Sequence, residues 1–200
     1  MIYTLASSPN GDLFFSGGKD TKARVWSREG KLQYTFEGHS STVLGIAYDS
    51  NTGYVFSGGY DKNAFLWDLE GNIILEIPHD RRVYSVAVSH NGEYLATGTS
   101  DTLSYIWNTE GNLIAELPTD NTTYSIAFSP NNQYVLTAGK SDAFLWDLEG
   151  NVLKRYPHDA TVYKAVFSPD GTKVLTGSWD RTTKLWSFCR RPKYDYLRFL

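Results

Sequence analysis

The 200-residue chain predicts an all-β fold made of about five four-stranded units stacked side by side. Three observations carry this. Tryptophan recurs as Trp26, Trp67, Trp107, Trp146 and Trp186, at intervals of 41, 40, 39 and 40 residues. The phrase AFLWDLEGN stands at 64–72 and again at 143–151, two periods apart. No 11-residue window has helical period, whereas short apolar runs bounded by turn residues recur throughout. A fixed period near 40 residues marks a repeat architecture.

Each unit follows one order. An apolar first strand opens it: VLGIAYD (43–49), VYSVAVS (83–89), TYSIAFS (123–129) and VYKAVFS (162–168). A tight turn follows, as SPNG (8–11), SHNG (89–92), SPNN (129–132) and SPDG (168–171). Pro presets φ there, and Gly or Asn accepts φ > 0. The second strand ends on a small residue and glycine, as in LFFSGG, YVFSGG and YLATG. A polar turn leads to the tryptophan strand. A second hairpin turn, REGK, LEGN or TEGN, again places Gly where φ > 0 is needed. A fourth strand such as IILEIP (73–78) or LIAELP (113–118) closes the unit. One such sheet cannot bury both faces, but copies stacked radially can.

Composition narrows the function. A formal charge of −3 and a pI near 5.8 give no electrostatic footprint for nucleic acid. No 18-residue apolar run predicts a membrane span. The first residues, MIYTLASSPNGDLF, lack the charged and apolar regions of a secretory signal, and Cys189 is the lone cysteine. An intracellular, cytoplasmic location is expected, with the nucleus left open. There is no HExxH, no GxSxG, no phosphate-cradling Gly loop and no Cys/His cluster at metal spacing. The expectation is a non-catalytic protein with no cofactor and no metal.

These residues resemble the WD40 β-propeller family over about residues 1–187. The likeness rests on the repeats, on Trp67–Asp68 and Trp146–Asp147, and on the SPDG-like turns. It implies blades of about 1–37, 38–77, 78–117, 118–156 and 157–187, and a divergent basic and aromatic tail or last strand over 188–200. It also implies a structural tetrad in each blade: His before the first strand, Ser or Thr on the second, Asp in the next turn, and the Trp. On this chain the resemblance gives His39, Ser57, Asp61 and Trp67; His79, Thr97, Asp101 and Trp107; and His158, Thr176, Asp180 and Trp186. The indole only donates, the hydroxyl donates and accepts, and the carboxylate accepts from imidazole. The fourth blade departs, with Thr119 for His and Lys140 where Asp belongs, and Asp142 too near Trp146 to replace it. The first blade has Ser16, Asp20 and Trp26 but no His.

Propellers of this family most often have seven blades. Five are legible here, so the chain is expected to be either a piece of a larger propeller or a five-unit assembly that closes tightly or by oligomerising. The resemblance also places partners on the top surface. There it puts Arg82 and Tyr84, Tyr124, Tyr163, Lys19, Tyr60, Ser100 and Trp179. Tyr, Trp and Arg suit interface hot spots; the tyrosines could equally pack along the central channel. The expected function is a scaffold that presents this face to a protein or peptide. The alternative is a small-ligand or carbohydrate-binding propeller of lectin type, whose sites should repeat in every blade.

Overall fold

A computed structural model describes residues 1–187, all strands and turns. The first sheet is β1 (Ile2–Ser7), β2 (Leu13–Gly18), β3 (Ala23–Ser27) and β4 (Leu32–Phe36). The second is β5 (Val43–Tyr48), β6 (Val55–Gly59), β7 (Asn63–Trp67) and β8 (Ile73–Pro78). The third is β9 (Val83–Val88), β10 (Tyr94–Thr99), β11 (Leu103–Asn108) and β12 (Leu113–Pro118). The fourth is β13 (Ser125–Phe128), β14 (Tyr134–Ala138), β15 (Asp142–Asp147) and β16 (Val152–Pro157). The fifth has three described strands: β17 (Val162–Phe167), β18 (Lys173–Ser178) and β19 (Thr183–Ser187). Every sheet is an antiparallel meander in chain order. The expected tail over 188–200 lies outside the described residues.

The turns follow the residues placed in them. Gly11, Gly92, Asn132 and Gly171 sit at φ of 74, 73, 59 and 69° in the first turn of their units. Gly30, Gly71, Gly111 and Gly150 sit at 76–87° in the second hairpin turn.

The core lies between sheets. Trp67 is fully buried and stacks on Phe36 of the preceding blade at 4.5 Å. Leu66 and Phe56, on the other face of the second sheet, pack against Val83, Val86 and Leu95 of the third. Small residues at the end of each second strand let the next blade in. A Cβ on Gly17 would lie 2.6 Å from Val43, on Gly58 2.5 Å from Val83, and on Gly98 2.7 Å from Thr123. Gly177, in the same register, meets nothing within 4 Å among the described residues. The first strands therefore pack in series, β1 on β5, β5 on β9, β9 on β13 and β13 on β17. At the two ends of this arc apolar side chains are exposed, Ile2 and Leu5 on one and Leu175 and Leu185 on the other. The described residues form an arc of propeller blades whose end faces are uncovered.

Candidate functional site

The tetrads come first, because they hold the turns that carry the top surface. In the second blade His39 Nδ1 donates to Asp61 at 2.8 Å, and Nε2 accepts from the Ser57 hydroxyl at 2.9 Å. Trp67 Nε1 donates to Ser57 at 3.1 Å. Asp61 also takes the Ser40 and Asn63 amides. Burial alone would raise its carboxyl, but the His39 bond and these amides bring it net below the ordinary range. The fifth blade repeats the chain, with His158 at 2.7 Å from both Asp180 and Thr176, and Trp186 at 2.8 Å from Thr176. The Thr182 hydroxyl and His158 hold Asp180 well below the usual carboxylate range, against the opposing effect of burial.

The third blade corrects the expected tetrad. Trp107, Thr97 and His79 are linked at 3.0 and 2.9 Å, but His79 Nδ1 donates to the Ile77 carbonyl at 3.0 Å and not to Asp101. Asp101 is held instead by the Thr99 hydroxyl, at 2.7 Å within its own turn, where the second blade has Gly59 and the fifth has Ser178, whose hydroxyl donates to the Ala160 carbonyl. The turn changes with it: Lys62 and Arg181 follow their tetrad Asp at φ 67°, while Thr102 does not take positive φ. In the fourth blade only Trp146 to Thr137 remains, at 2.8 Å. Thr119 stands at the histidine position, and a small pocket of about 10 Å³ is lined there by Thr119, Thr137 and Phe144. Asp142 is buried and bound by both Nε and Nη2 of Arg155, at 2.6 and 2.8 Å, a pair that repeat spacing did not suggest. In the first blade Trp26 donates to Ser16, and Asp20 turns to Arg24.

His79 gives a pH dependence. Burial, its largest influence, pushes the imidazole below its ordinary value of 6.5, and the Ile77 carbonyl and Asp101 and Asp80 charges only partly oppose it. The unfolded chain then binds a proton that the folded chain resists. Stability is therefore full above about pH 6.5 and falls as pH drops through the folded value. A second loss is expected below about pH 4, where Asp61 and Asp180 take protons in the unfolded chain before the folded one. Urea midpoints from pH 8 to pH 3 should show both steps, and His79→Gln should remove only the upper one.

The top surface is assembled by the backbone. The amide of Lys19 donates to the Met1 carbonyl, Tyr60 to Thr42, Ser100 to Arg82 and Trp179 to Thr161, all at 2.8–2.9 Å. Each bond ties the turn before Asp20, Asp61, Asp101 or Asp180 to the start of that blade's first strand, so both predicted sets share one rim. On it Arg82 lies 4.3 Å over the Tyr60 ring. Tyr60 meets Tyr84 at 5.9 Å, Tyr84 meets Tyr124 at 5.6 Å, Tyr124 meets Tyr163 at 5.0 Å, and Tyr163 meets Trp179 at 5.7 Å. Five rings from four blades form one row, ending in Trp179 at 69% exposed. Among the described residues Lys19 and Ser100 lie on the rim without a ring contact. Desolvation is the largest influence on the Tyr84 phenol and, with the Tyr60 hydroxyl, raises it above its ordinary value, against Arg82. Among the described residues no group of His, Cys, Asp and Glu is arranged to hold a metal. Among the described residues no helix is long and apolar enough to cross a membrane.

Radially packed four-stranded blades with hydroxyl–indole cores define a propeller-type repeat protein. The family model for the WD domain, G-beta repeat matches residues 1–27, 30–68, 71–108, 111–147 and 150–187. The chain belongs to this family. That frame starts each later repeat just before the fourth strand of one sheet and ends it after the third strand of the next. A shorter likeness is to eukaryotic translation initiation factor 3 subunit I of Meyerozyma guilliermondii, 51% identical over 45 residues. The match spans 22% of this chain and 13% of that protein's length. In general terms the protein is of the interaction-scaffold class.

Proposed function

We propose that the protein is a non-catalytic scaffold that holds a peptide or protein partner along its aromatic rim. The row from Tyr60 to Trp179 carries this reading. Rigid rings with polar tips give large contact area at low entropic cost, and the Arg82 guanidinium supplies a directional anchor. The row runs unbroken from blade to blade, and Trp179 has no aromatic counterpart at Lys19, Ser100 or Lys140. That suits one extended partner better than a sugar repeated in each blade. The relative is by name a subunit of a larger factor, which supports protein partners and a cytoplasmic setting here too.

A random peptide library displayed on phage and selected against the wild-type chain tests this. Replacing Tyr60, Arg82 and Trp179 together by Ala should weaken the selected peptides by at least about 30-fold, as loss of hot-spot anchors does. The melting temperature should stay unchanged. Equal affinity for both proteins would sink the rim as the binding surface.

A further inference from the structure

The outward face of the fifth sheet is unlike the four that carry a neighbour. Opposite Gly17, Gly58, Gly98 and Ala138 the first strands hold Thr4, Gly45, Ser85 and Ser125. The next blade's backbone comes close there. A Cβ on Gly45 would lie 3.0 Å from the Val86 amide nitrogen. The Ser85 and Ser125 hydroxyls donate to the Thr123 and Ala165 carbonyls of the next blade. In the fifth sheet this register holds Lys164, opposite Gly177. Two residues on, Ala6, Ala47, Ala87 and Ala127 are replaced by Val166. Interiors are close-packed, so a four-carbon stem and a branched side chain would hold off a blade docking as the others do.

The face offers another geometry. Val166, Leu175 and Leu185 are direct cross-strand partners and all are exposed. They form an apolar row about 10 Å long across three strands, and the rows on either side lie about 7 Å away. One side row contains Lys164 and the other Lys173. A helix with apolar residues at i, i+4 and i+7 presents a stripe about 10 Å long, with its flanking positions on both sides. Among the described residues Lys164, Lys173 and Arg181 have no carboxylate partner, while Asp170 is bound by Ser168 and Thr172, and Asp180 by His158 and Thr182. An open groove of about 730 Å³ lined by Lys164, Gly177, Trp179 and Arg181 continues the face toward the rim. We infer that this face docks an amphipathic helix of a partner protein whose apolar stripe is flanked by acidic residues.

The test uses the full chain and two fluorescein-labelled peptides of about four helical turns. Both carry leucines on one stripe; one flanks it with glutamates, its twin with lysines. Fluorescence anisotropy should show the glutamate peptide bound at least about tenfold tighter than the twin, with the preference shrinking in high salt. The double variant Lys164→Glu, Lys173→Glu should reverse the preference, with an unchanged circular dichroism spectrum. Leu175→Asp should weaken the glutamate peptide by a similar factor. Equal binding of the twins, or a preference that survives the charge reversal, overturns the proposal. So does a head-to-tail dimer in sedimentation velocity that Leu5→Glu abolishes, since the face would then belong to a second copy of the chain.

Discussion

Asp61→Ala should lower stability by about 3 kcal/mol at pH 7, read as a fall in the urea midpoint at unchanged slope. The carboxylate is buried and accepts the His39 imidazole and the Ser40 and Asn63 amides. Deleting it strands three donors at once, and the histidine cannot turn to water because its own ring is fully buried. Asp101→Ala should cost only about 1 kcal/mol. That side chain is a third exposed, and it holds Thr99 and the Leu103 amide but no histidine. Residue spacing alone makes these aspartates equivalent. Equal losses in the two variants would mean that Asp101 does reach His79, and the altered third blade would be wrong.

The contrast marks where sequence stops being legible. The forty-residue period fixes the strands because indole, hydroxyl, glycine and turn must each fall at one height in a sheet, so their spacing is the geometry. The rim positions were readable only through the family likeness, and the backbone bonds between them show that the two sets lie side by side. The broken link at His79 goes with competition for one carboxylate: the Thr99 hydroxyl takes Asp101, where sister blades have Gly59 or a Ser178 that bonds the Ala160 carbonyl instead. That substitution was visible, but its weight was not until the turn geometry was known. The Arg155–Asp142 pair joins residues diagonal across β15 and β16, a relation that exists only in register. Lys164 and Val166 stand out for a like reason. Each is an ordinary strand residue until alignment by cross-strand partner shows that the column is otherwise small.

Gly58→Val and Gly177→Val should move stability in opposite directions, although the two glycines occupy one register. Neither residue is held at positive φ, so the backbone accepts valine in both strands. At Gly58 the first added carbon would lie 2.5 Å from Val83 Cγ1 and 2.8 Å from Val86 Cγ1. These are β-branched side chains fixed on β9, with few rotamers to retreat into. The second and third blades must part, at a cost of about 3 kcal/mol, the upper end of overpacking. At Gly177 the same side chain meets no described residue, and β-branching in a strand should add about 0.5–1 kcal/mol of stability. Urea unfolding of both variants at low protein concentration reads this directly. A large loss at Gly177 would mean that something packs on the fifth sheet as Val83 packs on Gly58. A docked helix spanning the Lys164 and Lys173 rows would stand farther off than a blade, and should tolerate the added methyls.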